Sequence, residues 1–176
     1  MFPKLITAST SLVKSAGSGN LRLRVAALCA AGAAATLELF DGTIGTIATT
    51  ALGVGGTGYA VNDLFHLVQA GGGVVATGKV TGVSTGVVTT FSILTTGTGY
   101  VAGVTYATVH DSGSGDDALT VTVSTITDAG TSVAKLATAA NTSANAYEFD
   151  SPGLLIKNGL SARITGSSAA GYVYTE

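Results

Sequence analysis

The feature that most constrains the fold is a two-residue alternation of apolar and polar side chains. In Leu21-Arg22-Leu23-Arg24-Val25 the aliphatic residues fall on one face of an extended strand and both arginines on the other. The same pattern recurs in Thr36–Phe40, Leu119–Ser124, Leu160–Ile164 and Gly171–Thr175. Turn-forming sequences separate such segments, at Gly17–Asn20, Asp41–Gly42, Ser151–Gly153, Asn158–Gly159 and Gly166–Ser168. Short strands at this spacing predict an all-β sandwich or barrel.

Helical signals are weak by comparison. Val133–Ala140 has the propensity for a short helix, and Asn62–Gln69 could supply a helical turn because Asn62 is a plausible N-cap. No longer segment shows a 3.6-residue period. The prediction is therefore an all-β chain, in which Leu119, Val121 and Val123 point inward.

The middle of the chain contains a degenerate internal repeat. Gly56-Thr57-Gly58-Tyr59 recurs as Gly97-Thr98-Gly99-Tyr100, a period of 41 residues. A β-like run, a glycine-rich turn and a further strand follow each copy, and Val87–Leu94 joins the two units. Two similar β-units of this kind are expected to pair and bury one small core.

The repeat also differs in charge from the segments around it. Residues 53–132 carry one lysine against five aspartates, whereas the flanking segments have a small excess of bases. Each flank supplies too few strands to bury both faces of a sandwich by itself. The sequence therefore predicts a discontinuous, jelly-roll-like sandwich from residues 1–52 and 133–176, with residues 53–132 inserted as a module of two degenerate repeats.

Charged residues are scarce along the whole chain. They make up 10% of the sequence, against about 25% in ordinary soluble domains, while 46% is hydrophobic. Sheet faces rich in Thr, Ser and small residues are neutral surfaces suited to packing on partners; a soluble sandwich with a Thr-rich exterior is the alternative. A net charge of −2 gives no reason to expect a nucleic-acid or membrane partner.

The single cysteine and the absence of targeting signals suggest assembly inside a cell. Cys29 excludes an internal disulfide and is most simply a small apolar residue, which fits a reducing cytosol. Met1-Phe2-Pro3-Lys4 lacks the apolar run of a secretory signal, and Arg22–Ala35 imitates one too far into the chain. No run reaches the 18 or so apolar residues that span a bilayer, so we expect a soluble protein.

Residues capable of catalysis or metal binding are few. His66 and His110 lie one in each repeat, and without closely spaced His or Cys we interpret them as structural or exposed strand residues. Asp111–Asp117 superficially resembles a calcium loop but lacks the ligand spacing and final Glu of an EF-hand, which favours a surface turn. Gly53–Gly58 could be mistaken for a phosphate-binding loop, but it lacks the Walker lysine, so we interpret its glycines as positions of tight β-turns with positive φ. We therefore predict no enzyme, no metal and no cofactor.

Four residues are candidates for binding. Tyr59 and Tyr100 are expected to cover the glycine turns, and a sugar-stacking platform is the alternative for their rings. Arg22 and Arg24, on one strand face, could pair with carboxylates of a neighbouring subunit; a solvated strand face is the alternative.

Two stretches of the sequence resemble a known class of proteins. Leu12-Val13-Lys14-Ser15-Ala16-Gly17-Ser18-Gly19-Asn20-Leu21-Arg22-Leu23-Arg24-Val25, with Ala33–Thr43, and the ending Phe149–Leu160 with Ile164–Gly166 and Tyr172–Tyr174, resemble small β-sandwich virion proteins of tailed bacteriophages. The Gly-Thr-Gly-Tyr repeat is similar to modules of phage head, tail and fibre proteins. The sandwich here departs from the simplest such proteins by opening after Ala48 to admit the repeat.

The resemblance implies a function. It suggests a capsid decoration or cement protein that is made in the host cytoplasm, binds the major capsid protein on the outer shell and forms a homotrimer. The alternative is a tail, fibre or head-fibre component that binds host glycans, with Tyr59 and Tyr100 as the stacking residues. The shared motifs are structural, so no catalytic residue is implied.

Overall fold

The computed structural model describes residues 2–6, 10–13, 21–30, 33–69, 73–139, 142–148, 154–165 and 169–175. These residues form fifteen β-strands, which confirms the predicted all-β class. The chain divides into two compact units: residues 1–44 with 128–176, the sandwich unit, and residues 45–127, the inserted unit. The predicted turns at Gly17–Asn20, Ser151–Gly153 and Gly166–Ser168 lie outside the described residues.

The sandwich unit contains two antiparallel sheets. The first has the order β1-β15-β3-β12, and β13 pairs with the remaining length of β3. The second has the order β11-β4-β14-β2. The strands are β1 (Phe2–Ile6), β2 (Thr10–Val13), β3 (Leu21–Ala30), β4 (Ala35–Asp41), β11 (Thr131–Thr138), β12 (Thr142–Glu148), β13 (Leu154–Ile156), β14 (Leu160–Thr165) and β15 (Ala169–Thr175).

Aliphatic side chains from both sheets form the core of the sandwich unit. Leu23 and Leu28 of β3 and Leu37 and Leu39 of β4 are fully buried. A Cβ built on Gly171 of β15 would lie 3.0 Å from a methyl group of Leu37, so the glycine makes room for that side chain. The alternation along β3 and β4 thus supplies one shared apolar interior.

Two turns that the sequence identified separately are bonded to each other. The Gly42 N–H donates to the Gly159 carbonyl at 2.7 Å, and both glycines have positive φ, of 119° and 97°. The Asp41 carboxylate accepts the N–H groups of Lys157 and Asn158 at 3.1 and 2.5 Å. The two turns therefore reverse the chain and also hold the end of β4 against the start of β14.

The inserted unit is a single six-stranded antiparallel sheet that curls around its own core. Its strand order is β5-β10-β9-β6-β7-β8. The strands are β5 (Thr46–Gly55), β6 (Leu64–Leu67), β7 (Thr77–Ser84), β8 (Val87–Thr95), β9 (Val104–Ser112) and β10 (Leu119–Thr127). Leu119, Val121 and Val123 are fully buried, as their alternation predicts, and pack with Phe65 and Leu67.

This strand order has an internal two-fold relation. When β5, β6 and β7 are exchanged for β8, β9 and β10, the order β5-β10-β9-β6-β7-β8 becomes its own reverse. The third strand of each repeat pairs with the first strand of the other, and the middle strands β6 and β9 pair at the centre. The sequence repeat is therefore a structural one.

Two sequence-level expectations differ from the structure. The segments with helical propensity are the strands β11 and β6, and Asn62 has a left-handed φ of 81° instead of an N-cap conformation. Pairing across strands overrides a weak local preference. The unit boundaries lie at 44/45 and 127/128. The sequence placed them after residues 52 and 132, positions that fall inside β5 and β11.

The β7–β8 hairpin contains a residue whose backbone strain a substitution can relieve. Thr85 and Gly86 form its two-residue turn with φ of 49° and 79°, and a β-branched residue is disfavoured there. Thr85→Asn should raise stability by about 1 kcal/mol because Asn tolerates this conformation. Urea unfolding of the full chain measures the change. Ser84→Asn, at an ordinary strand position, is the control; an equal gain in both variants would contradict the interpretation.

Candidate interaction surface

Left-handed residues recur at matching positions of the two repeats. Four pairs, each separated by the repeat period of 41 residues, have nearly equal φ. They are Gly45 and Gly86 (67° and 79°), Gly56 and Gly97 (59° and 58°), Gly58 and Gly99 (79° and 84°), and Asn62 and Gly103 (81° and 78°). Seven of the eight are glycines because a Cβ disfavours this conformation. The glycines therefore form tight turns, as the sequence predicted. They do not form a phosphate-binding loop.

The two Gly-Thr-Gly-Tyr turns are held by reciprocal hydrogen bonds. The Tyr59 N–H donates to the Gly86 carbonyl and the Tyr100 N–H to the Gly45 carbonyl, both at 3.0 Å. Each turn is thereby bonded to the start of the opposite repeat. The Thr57 N–H and hydroxyl also donate to the Asp116 carboxylate at 3.0 and 2.7 Å.

Both tyrosine rings are interior. Tyr59 is 3% exposed and Tyr100 is 1% exposed, and burial raises the pKa of both phenols. The Tyr100 ring meets the Tyr106 ring edge-on at 5.0 Å, while a Cβ on Gly115 would overlap the Tyr59 ring. Buried rings present no free face to a sugar, so their positions do not support glycan stacking; they cover the turns.

The hydroxyl of Tyr100 satisfies a buried backbone group. It accepts the Ala76 N–H at 2.8 Å and donates to the Leu67 carbonyl at 3.4 Å. Tyr100→Phe should lower the free energy of unfolding by about 1–3 kcal/mol because it leaves the Ala76 amide unpaired. Tyr172→Phe, at a ring that is 37% exposed, is the matched control and should change little. Equal melting temperatures for wild type and Tyr100→Phe would rule out this role.

One end of the inserted unit carries two histidine–aspartate pairs. His66 of β6 lies 2.6 Å from Asp111, and His110 of β9 lies 2.7 Å from Asp117, measured from Nδ1 to Oδ1. All four side chains are about a third or more exposed, which limits the stabilisation that each pair provides. The pairs join the end of β9 to β6 and to the following loop.

Hydrogen bonds to two exposed aspartates lower their pKa. For Asp117 the donors are the backbone and then the side chain of His110, whereas for Asp116 they are the backbone and hydroxyl of Thr57 and the Ala118 N–H. Each donor favours the charged carboxylate, so the pKa of both groups lies below the ordinary value of 3.8.

Acid should therefore weaken the inserted unit. Because both carboxylates bind protons less readily when folded, their contribution is complete above a pH of about 5 and is lost as the pH falls through the lowered pKa values. In Asp116→Asn/Asp117→Asn the melting temperature should fall less steeply between about pH 5 and 3 than in the wild type. Asn retains an acceptor and tolerates the φ of 58° at Asp117. Parallel pH curves would contradict this assignment.

The histidines and aspartates do not converge on a metal. In the part of the chain that the structure describes, no group of three or more His, Cys, Asp or Glu side chains could hold an ion. The Asp111–Asp117 segment ends β9 and turns back to β10, with Asp116 and Asp117 accepting bonds from the protein itself. The arrangement is that of a hairpin connection braced by aspartates.

Threonine hydroxyls bond to each other across neighbouring strands. In the inserted unit these pairs are Thr49–Thr125 at 2.6 Å, Thr77–Thr95 and Thr105–Thr122 at 2.8 Å, and Thr81–Thr90 at 2.9 Å. Thr36 and Thr165 form such a pair in the sandwich unit. Cross-strand threonine pairs stabilise sheets without charge. They explain how a surface with few ionised groups still satisfies its polar atoms.

Large apolar side chains are exposed on the inserted unit. Three are more than half exposed: Val74 at 65%, Val54 at 60% and Leu94 at 55%. The other exposed members are Val61, Leu64, Val68, Val75, Val87, Val101 and Val104. Residues 45–127 contain one lysine and four aspartates, so few charged residues accompany them in the sequence. Exposed apolar side chains of this kind can contribute to a binding surface where they lie side by side.

The sandwich unit has an uncharged row on one sheet. Leu5, Tyr172, Ala27 and Ala146 lie directly opposite one another across β1, β15, β3 and β12. Leu5 is 53% exposed and Tyr172 is 37% exposed. This row, defined by those four residues and called the apolar row below, crosses the outer face of the sheet.

The predicted arginine pair is only partly described. Arg22 is half-buried on β3 and already has an interaction partner, while the side chain of Arg24 lies outside the described part of the structure. Cys29, on the same strand, is a half-buried free thiol. The pairing of Arg22 and Arg24 with carboxylates of a neighbouring subunit therefore stays a prediction.

Comparisons with known proteins do not identify a family. No family model, curated protein or solved structure matches the chain. Among the described residues, no helix has the length and hydropathy needed to cross a bilayer.

Two features of the surface escaped the sequence-level reasoning. The histidine–aspartate pairs depend on strand register, which places Asp111 diagonally from His66 across β6 and β9. The apolar row depends on which of many alternating segments become neighbours. The sequence feature that bears on the apolar row is the scarcity of charge. It suggests a binding surface but does not indicate which residues form it.

Proposed function

We propose that this chain is a structural protein of a virus particle, a decoration or cement protein that binds the outer shell of a tailed-phage head. It acts by binding instead of catalysis, its partner is the major capsid protein, and copies assemble as a homotrimer. The observation that carries the proposal is the extent of exposed, uncharged apolar surface, including three side chains that are more than half exposed on the inserted unit.

The apolar row gives the sandwich unit a surface suited to attachment. The four side chains of the row carry no charge, so they can pack on another protein without dehydration of an ionised group. Glu148 lies two residues beyond Ala146 on β12, at the border of the row. We assign the apolar row to the contact with the shell.

The mechanism is the addition of buried surface between shell subunits. Apolar burial contributes about 25 cal/mol per Å² before the cost of association is subtracted. Each copy therefore adds a modest amount, and repetition over the shell makes the total large. This form of stabilisation requires exposed apolar surface and needs no titratable cleft.

Purified protein added to undecorated heads tests the proposal. It should co-sediment with the heads and raise their melting temperature. Tyr172→Glu, which places a charge in the apolar row, should weaken binding by about tenfold or more. Val104→Glu is the control because Val104 is similarly exposed, at 40%, but lies in the inserted unit.

The possible outcomes test the proposed function and the assignment of the apolar row separately. Failure of the wild-type protein to bind heads, or to stabilise them, would refute the proposed function. If Tyr172→Glu binds heads as tightly as the wild type does, the proposed function stands but the apolar row is not the contact with the shell.

A further inference from the structure

The two edge strands of the inserted unit approach each other at both ends. At one end the Ile47 N–H donates to the Thr96 carbonyl at 3.3 Å. At the other end a Cβ built on Gly55 would lie 2.5 Å from the Val88 carbonyl oxygen, so the two backbones are in close contact. Both contacts fit one antiparallel register, in which Leu52 faces Phe91 and Ala51 faces Ser92.

Between these contacts the hydrogen-bond ladder is missing. Over residues 48–54 of β5 and 89–95 of β8, all of them described, no ladder joins the two strands. We call this gap the seam. β5 pairs only with β10, and β8 only with β7, so each strand has a second edge that faces the seam. A strand edge of this kind is a template for another strand.

Side chains along the seam are less buried than those at its two ends. Ile47 and Val88, where the seam is closed, are 4% and 1% exposed. Leu52, Phe91 and Ile93, along its middle, pack on the core but are only partly buried. The core is therefore incompletely covered where the ladder is missing.

The chemistry of the seam specifies what can cover it. Both strands lack charged residues and proline from end to end, in Thr46–Gly55 and Val87–Thr95. Proteins usually protect such edges with charge, proline or bulges, and here bulges in the β5–β10 and β7–β8 ladders are the protection present. An occupant must supply backbone hydrogen bonds to the edges and apolar side chains to the core.

We propose that the seam receives an extended, uncharged strand of a neighbouring coat subunit, with apolar residues at alternate positions. Backbone bonds to β5 and β8 provide the attachment, and alternate side chains cover Leu52, Phe91 and Ile93. The inference rests on the proposed function for the source of the strand, because a virion neighbour is the polypeptide that decoration brings within reach.

A labelled peptide with the sequence of Leu119–Thr127 is the probe, since this strand is uncharged and alternates apolar and polar residues. It should bind the full-length protein saturably and protect the amides of residues 48–54 and 89–95 from hydrogen exchange. Leu52→Ala should weaken binding by roughly fivefold, the effect of losing contact with one or two methylenes. Ile126→Ala, at a partly buried core residue outside the seam, should not.

A reversible lock provides a second test. In a Cys29→Ser background, Ala51→Cys/Ser92→Cys should abolish peptide binding when oxidised and regain it on reduction. Thr105→Cys/Thr122→Cys, at directly opposed positions of β9 and β10, is the control and should bind in both states.

Several results would overturn the proposal. These are absence of peptide binding, protection outside the seam, or equal binding by the oxidised and reduced seam variant. The wild-type protein could instead self-associate, with Leu52→Ala weakening the association and Ile126→Ala leaving it unchanged. That result would assign the seam to a second copy of the chain. Failure to bind heads would count against the proposed function alone, since peptide binding requires no shell.

Discussion

The inserted unit depends on the reciprocal bonds between its two turns. The amide of Tyr59 is bonded to the start of the second repeat at Gly86, and the amide of Tyr100 to the start of the first at Gly45. Because each repeat is held by the other, the third strand of one pairs with the first strand of the other. The two-fold relation, the shared core and the position of the seam all follow from this exchange.

The same exchange explains why the sheet curls without closing fully. Equivalent contacts at Ile47 and Val88 draw the edge strands together at both ends. Bulges in the ladders next to β5 and β8 twist those strands locally. Between these two contacts no ladder joins β5 to β8, and Leu52, Phe91 and Ile93 along the gap are only partly buried.

Scarcity of charge is the other constraint on the molecule. With 10% charged residues, the sheets satisfy surface polar groups largely through backbone ladders and threonine pairs such as Thr105–Thr122. The remaining aspartates brace turns, as Asp41 does for Lys157 and Asp116 for Thr57. Neutral surfaces gain more from contact with protein than charged ones do, because dehydration costs them less. That difference underlies both the apolar row and the seam.

Alternation and turn chemistry alone determined the all-β class, the inward positions of Leu119, Val121 and Val123, and the repeated glycine turns. These are local properties, fixed by a two-residue period and by the conformations that glycine permits. Tertiary structure decided which strands became neighbours. It made the segment after Asn62 a strand, buried Tyr59 and Tyr100, paired His66 with Asp111, and left β5 and β8 as edges. Strand pairing joins residues far apart in sequence, and alternation is the same for every possible partner, so the sequence pattern could not select among them.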